Sequence, residues 1–188
     1  MLDLGLLDKK DYDEAAPRII RESARAIVFA EDKIALIFIE SEGAYAFPGG
    51  SREARETMAE ALAREVREEA GLIVRPETIQ PFGRIVEIRK DLFVDGIFEQ
   101  CDFYFTCAVE AESKAPCLNK HEAEDGYRLE IVSLADAIET NERAIKAGKH
   151  YLEREATVLR FLQSQRQTGF GCGAKDAPLL DHASGVLA

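Results

Sequence analysis

The order of apolar and polar positions divides the chain before any chemistry is considered. Two short apolar runs, within Ser23 to Ala30 and Lys33 to Ile39, are separated only by Glu31 and Asp32, which predicts a hairpin of largely buried strands. Ala44 to Phe47 reads as a short strand that stops at Pro48-Gly49-Gly50. The period then changes. Thr57 and Glu60 have the spacing of a capping box, Met58, Leu62 and Val66 recur at helical spacing, and Gly71 stands where a helix would end, so a helix is predicted from about Met58 to Ala70.

Alternation returns over Arg84 to Arg89, with Val86 and Ile88 on one side and Glu87 and Arg89 on the other. In Cys101 to Cys107 the residues 101, 103, 105 and 107 share a face. Leu118 to Tyr127 reads as an acidic polar loop and Leu129 to Val132 as a short strand. Ser133 caps a second helix. A third helical stretch runs from Tyr151 to Gln163, with Leu152, Leu159 and Leu162 spaced to pack and Gly148 breaking the two helices apart. Strands and helices mix without strict βαβ alternation, which predicts an α/β sandwich with a mixed β-sheet over residues 23–165. Residues 1–22 read as a polar lead-in, and residues 166–188 as a tail without periodicity.

Composition narrows the function classes. At 188 residues, 46% hydrophobic and 31% charged, the chain suits one soluble domain. No apolar run approaches the roughly 20 residues that span a bilayer, and Asp3 interrupts any basic-then-apolar leader, so a cytoplasmic location is expected. The net charge of −11 argues against a nucleic-acid-binding surface but leaves room for a small phosphate substrate if cations stand between. Cys101, Cys107, Cys117 and Cys172 show no C-x-x-C spacing and His121, His150 and His182 lie far apart in sequence, so neither zinc nor a disulfide framework is supported. Cys101 and Cys107 read as buried packing residues.

The predicted helix carries the candidate chemistry. Glu65, Glu68 and Glu69 are spaced i, i+3 and i+4 and share a face. With Leu62 at zero on a helical wheel, Glu69 falls at about −20°, inside the apolar stripe, Glu65 at about −60° and Glu68 at about −120°. Arg64, Arg67 and Glu60 take the opposite side, where Glu60 and Arg64 suit an ordinary i,i+4 pair. Glutamate-rich helices are usually just solvated. A carboxylate on the apolar stripe beside two like charges is costly, however, and either protonation or a bound hard cation, magnesium or manganese, would relieve it. The negative end of the helix dipole lies at the same place.

The segment Gly50 to Leu72 also resembles the Nudix box, G-x5-E-x7-R-E-U-x-E-E-x-G-U with U aliphatic, at every fixed position: Gly50, Glu56, Arg64, Glu65, Val66, Glu68, Glu69, Gly71 and Leu72. Phe47-Pro48-Gly49-Gly50 is similar to the strand-to-loop step that precedes this box in the family. The box covers 23 residues, and the element order across about residues 23 to 163 is compatible with the Nudix α/β/α sandwich.

The resemblance implies a Nudix hydrolase that uses Mg2+ (or Mn2+) to cleave a phosphoanhydride in a nucleoside diphosphate linked to a group X. It implies that Glu65, Glu68 and Glu69 bind the metal, that Gly50 adds a backbone carbonyl, and that Glu56, Arg64 and Gly71 hold loop and helix together. For the general base, Glu65 and a glutamate of the acidic loop, Glu122 or Glu124, are candidates. The loop is equally readable as a solvated charge run. Arg84, Arg89 and Arg128 are candidates for phosphate contacts, although each also suits an ordinary surface position.

Group X is read elsewhere. The proline associated with ADP-ribose hydrolases, the tyrosine associated with dinucleoside polyphosphate hydrolases and the array associated with NADH cleavage are all missing, and the chain has no Trp. By elimination a nucleoside triphosphate, including an oxidised one, is favoured over ADP-ribose or another nucleotide sugar. Tyr45, Phe47, Phe103 and Tyr104 are available for base stacking, Phe47 and Phe103 being more suited to the core. The rival from another class is a non-catalytic Nudix-fold nucleotide sensor, but such modules typically lose glutamates that this chain retains. An isoprenoid diphosphate isomerase relative would need a catalytic cysteine that neither Cys101 nor Cys107 suits. A homodimer is compatible with the sequence, and nothing in it requires one.

Overall fold

In the computed structural model, which describes residues 1–167, the predicted hairpin is the centre of a larger sheet. The strands are β1 (Leu2–Asp8), β2 (Arg18–Ala30), β3 (Lys33–Ile39), β4 (Ala44–Ala46), β5 (Gly49–Ser51), β6 (Leu72–Val74), β7 (Gln80–Lys90), β8 (Ile97–Thr106), β9 (Val109–Ser113) and β10 (Tyr127–Ser133). The helices are α1 (Met58–Ala70), α2 (Lys120–Glu124), α3 (Leu134–Lys146) and α4 (Glu153–Gln167). The main sheet runs β1-β7-β8-β2-β3-β10, with β4 on β3 and β5 on β2, while β6 and β9 form a separate pair. The β1–β7 and β2–β8 contacts are parallel and the other pairings antiparallel, so the sheet is mixed.

Strand alternation sends apolar side chains to both faces, and a helix layer covers each. Ala24, Ala26, Val28, Ala35 and Ile37 pack against Leu62, Val66 and Ala70 of α1. Ile27, Ile34 and Leu36 pack on the other face against Ala137 and Ile138 of α3 and Leu159 and Leu162 of α4. Each fully buried Val, Leu or Ile side chain among these contributes about 1.5–3 kcal/mol, which fixes α1 against the centre of the sheet. The expected α/β/α sandwich is what the chain forms.

The helix that carries the box is closed at both ends. Thr57 accepts from the Glu60 amide while the Glu60 carboxylate accepts from the Thr57 amide. At the far end Gly71 takes φ 68°, and a β-carbon there would meet the Lys114 carbonyl oxygen at 2.0 Å.

One strand sets up the site. β2 pairs with β8 along Arg18 to Ile27, but its other edge is shared: Ser23 to Arg25 pair with β5, and Val28 to Ala30 with β3. Between the two, the Ala26 amide donates to the Pro48 carbonyl at 2.8 Å. The Phe47–Gly50 segment is thereby wedged into a fork in the sheet. Gly49 is required there, because its φ is 136° and a β-carbon would meet the Ala24 carbonyl oxygen at 2.1 Å.

Several expectations are corrected. Residues 1–22 are no detached lead-in: Leu2–Asp8 is an edge strand parallel to β7, and β2 begins at Arg18. The polar pattern hid β1 because it is half-exposed. On β7 the expected alternation holds, and the inward side is the one that carries Gly83, Ile85 and Glu87, while Val86 and Ile88 are half-buried; Glu87 has an ion-pair partner that the strand pattern could not reveal. The acidic loop contains the short helix α2. The third helix starts at Glu153, after a 3-10 turn at His150–Leu152. Cys101 and Cys107 are half-buried rather than buried and Cys117 is exposed, while Cys172, His182 and nearly all of the predicted tail lie outside the described residues. Among the described residues no helix is long and apolar enough to cross a membrane.

Candidate active site

The C-terminal half of α1, the β5 strand and the start of β2 enclose a cleft of about 330 Å³, with α2 and β10 on its far side. Glu65, Glu68, Glu69, Gly50 and Arg64 all line it, as do Glu122 and Tyr127. The wheel position of Glu69 on the apolar stripe is realised. It is 6% exposed, and its Oε2 accepts from the Gly49 amide at 2.8 Å. Burial pushes its carboxyl up to about 8, although Arg25 and the Gly49 amide pull the other way.

Glu65 and Glu68 sit one turn apart beside it, under one guanidinium. Arg64 Nη1 donates to Glu65 Oε1 at 2.8 Å and to Glu68 Oε2 at 3.3 Å. The other edge of the same guanidinium grips Glu56, from Nε at 2.7 Å and from Nη2 at 2.9 Å, and Nη2 also reaches the Ser51 carbonyl at 3.0 Å. These bonds hold the Glu56 carboxyl down at about 2. The expected Glu60–Arg64 pair therefore does not form, and Arg64 does not face solvent opposite the glutamates. Glu60 is spent on the cap, and Arg64 turns inward because Glu56 and Ser51 offer it a planar set of acceptors.

A hard divalent cation suits this donor set, which is all oxygen and includes one carboxylate almost removed from water. Gly50 is part of the cradle: a β-carbon there would lie 2.5 Å from the Glu65 carboxyl carbon. Among the described residues, no three Asp, Glu, His or Cys side chains already converge closely enough to hold an ion, since Arg64 draws Glu65 and Glu68 toward itself. The carboxylates are gathered in one cleft, but their oxygens are not arranged around one point.

The remaining expected site residues separate. Glu122 faces the cleft, yet its carboxylate is engaged in capping α2, where it accepts from the Asn119 amide at 2.8 Å and from Asn119 Nδ2 at 2.5 Å. Glu124 does not line the cleft; it is exposed and lies 3.8 Å from Lys120. Arg84 and Arg89 also lie outside the lining, with Arg89 stacked on Phe98 at 4.5 Å. Arg128 covers the Phe38 ring and pairs with Glu130. Of the aromatic residues weighed for stacking, Phe47 is in the core as expected, Tyr45 and Tyr104 are buried there too, and Phe103 is half-buried.

Two arginines of the cleft were not foreseen, Arg21 and Arg25, both on β2, nor was Tyr127. The two arginines are four residues apart on a strand and so share a face, but only the fork in the sheet shows that this face opens on the glutamates. Arg25 Nη1 donates to the carbonyls of Phe47 and Gly49, and its Nε lies 3.7 Å from buried Asp102. Burial works against its charge, but Asp102, Glu155 and Glu69 outweigh it and hold the guanidinium firmly protonated. Tyr127 is the aromatic side chain of the cleft, its hydroxyl pushed up to about 12 by burial and by Glu69.

The chain is similar to several known proteins. A nucleoside triphosphatase NudI of Enterobacter sp. (strain 638) is 41% identical over 58 residues, which cover 31% of this chain and 41% of that protein. The chain thus spans about two fifths of the length of that curated relative. The crystal structure of a MutT protein from Bacillus halodurans matches with a TM-score of 0.45 at 22% identity, covering 64% of this chain and 72% of the other. The solution structure of the E. coli ORF135 protein matches with a TM-score of 0.44 at 19% identity, covering 85% of this chain and 95% of the other. A family model for the NUDIX domain matches residues 19–154, well over half of the sequence, and the chain belongs to the NUDIX domain family.

Proposed function

We propose that this chain is a divalent-metal-dependent pyrophosphohydrolase that cleaves a phosphoanhydride in a nucleoside diphosphate linked to X, with a nucleoside triphosphate, oxidised or not, as the favoured substrate. The observation that carries this reading is the gathering of Glu65, Glu68 and Glu69, beside Gly50 and Arg64, on one cleft large enough for a small ligand. The partial likeness to a protein named a nucleoside triphosphatase supports the choice of substrate.

Glu65, Glu68 and Glu69, with the Gly50 carbonyl, would hold Mg2+ or Mn2+. When bound, such a cation would supply charge neutralisation on the diphosphate and a water of lowered pKa. Hydrolysis would add a water oxygen to phosphorus as the bridging P–O bond breaks, so that a triphosphate substrate would give a nucleoside monophosphate and pyrophosphate. A carboxylate would take the water proton, and Glu65 is the better candidate because, among the described residues, only its Oε1 is bonded, to Arg64, whereas both Glu122 oxygens are engaged with Asn119. Arg64 keeps the loop and the glutamates in register. Arg25 fixes the Phe47 and Gly49 carbonyls and so the backbone that leads into Gly50.

A nucleotide panel assayed with magnesium and with chelator, with both products identified, tests the proposal. Nucleoside monophosphate and pyrophosphate are expected from a triphosphate, and only with metal. A monophosphate and a sugar phosphate would reassign the substrate to a nucleotide sugar. Equal background rates for wild type and Glu68→Gln on every substrate would sink the enzymatic reading in favour of a nucleotide sensor.

A further inference from the structure

Three guanidiniums line the cleft, and two are already committed. Arg64 is shared among Glu56, Glu65 and Glu68. Arg25 is bound to two backbone carbonyls and lies beside Asp102. Arg21 differs from both. Among the described residues its hydrogen bond is a single one, from Nε to the Ser51 hydroxyl, and no carboxylate lies within ion-pair distance of it. Its two terminal nitrogens are left to solvent, at an exposed position on the cleft wall. Burial and then the charge of Arg25 work against the Arg21 cation, while Asp102 and Glu65 act the other way.

The position suits an anion delivered to this cleft. Ser51 directly follows Gly50, so the bond from Arg21 ties the guanidinium to the strand that borders Glu65. The cleft glutamates repel a polyphosphate, and an uncommitted arginine facing them provides attraction on the same wall. A guanidinium held through Nε presents both terminal nitrogens in one plane, the geometry that binds two phosphate oxygens at once.

We propose that Arg21 is the phosphate-binding residue of this cleft, taking two oxygens of the substrate's phosphate chain while Ser51 orients it. The assignment rests on the reading that the cleft takes a nucleotide. It replaces Arg84 and Arg89, which do not line the cleft, in that role.

Calorimetric titration with inorganic pyrophosphate in the presence of Mg2+, alongside steady-state kinetics on nucleoside triphosphates, tests it with wild type, Arg21→Ala and Arg21→Lys. Arg21→Ala should weaken pyrophosphate binding and raise KM by about 10- to 100-fold, as expected for the loss of charge-assisted hydrogen bonds, with a smaller fall in kcat and an unchanged unfolding midpoint. Arg21→Lys should recover part of the binding, because the charge returns without the fork. If wild type turns over a triphosphate and Arg21→Ala matches it in both Kd and KM, the assignment is wrong and the enzymatic reading survives. If wild type hydrolyses no nucleotide yet binds pyrophosphate in an Arg21-dependent way, the enzymatic reading fails and the assignment stands.

Discussion

Arg154 of α4 donates from Nη1 to Asp102 Oδ2 of β8 across 2.9 Å, and the Asp102 side chain is fully buried. The same guanidinium lies 3.1 Å from Glu87 of β7. Gln100 donates to the other Asp102 oxygen and to Ser23 at 2.8 Å each, while Arg25 approaches Asp102 from the cleft side. The last helix is therefore pinned to three strands by a buried charge network that ends at the Gly49 loop. Replacing Arg154 with Met leaves Asp102 and Glu87 buried without their shared cation. A loss of about 3–5 kcal/mol in urea unfolding is expected, with a smaller loss for Arg154→Lys, which keeps the charge.

The neighbouring Glu155 has the opposite problem. It is 4% exposed, its Oε2 accepts from the Phe47 amide at 3.2 Å, and its carboxyl is raised above the ordinary range, chiefly by burial and despite Arg25. A carboxyl whose pKa is higher folded than unfolded contributes stability that is fully present below the unfolded pKa and is lost as pH rises through the folded pKa. Glu155→Gln keeps an acceptor for the Phe47 amide and removes the titration. Unfolding free energies measured from pH 4 upward should therefore shift progressively in favour of Glu155→Gln over wild type, and then level off. A difference that stays constant with pH would show that Glu155 does not titrate in this way.

The sequence and the structure part company over long-range charge pairs. The α1 boundaries, both caps and the placement of Glu69 on the buried stripe follow from period and spacing within 15 consecutive residues, Thr57 to Gly71, and all were legible. The inward turn of Arg64 depends on a loop whose path is set by the fork in β2. The burial of Glu87 and Asp102 depends on an arginine more than 50 residues downstream, so alternation alone could not say which side of β7 faces inward. The family resemblance located the box but said nothing of Arg21 or Arg25, whose meaning depends on which edge of β2 pairs with β5.

Gly50→Ala tests the cradle directly. The added β-carbon would stand 2.5 Å from the Glu65 carboxyl carbon and about as close to both of its oxygens, so Glu65 or the β5 backbone must move. Because the crowded group is a side chain, the fold should survive. Mn2+ affinity, followed by titration calorimetry, should fall by about 10- to 100-fold, the range seen when the support of a metal ligand is disturbed. Wild-type affinity in Gly50→Ala would remove Glu65 from the ligand set.

Arg64→Lys asks whether charge alone holds the loop to the glutamates. One guanidinium now serves Glu56, Glu65, Glu68 and the Ser51 carbonyl at once, which a single ammonium cannot reproduce. The conservative change should cost about 10-fold or more in kcat/KM, with a normal circular dichroism spectrum. Full activity would show that the network is packing without a positioning role.

Glu122 can be separated from Glu65 because glutamine can still cap a helix. In Glu122→Gln the side-chain oxygen still accepts from the Asn119 amide, as the third residue of a capping box does. The cap should therefore persist while any proton-accepting role is lost. Since both carboxylate oxygens already serve Asn119, kcat for Glu122→Gln is expected to stay within about tenfold of wild type, and Glu124→Gln, outside the cleft, should match wild type. Glu65→Gln should lose about 10²-fold or more, the ordinary contribution of a positioned base, compounded by weaker metal binding. A large fall in kcat for Glu122→Gln, with the unfolding midpoint and Mn2+ affinity intact, would move the base from α1 to α2 and would require the Asn119 contacts to open when substrate binds.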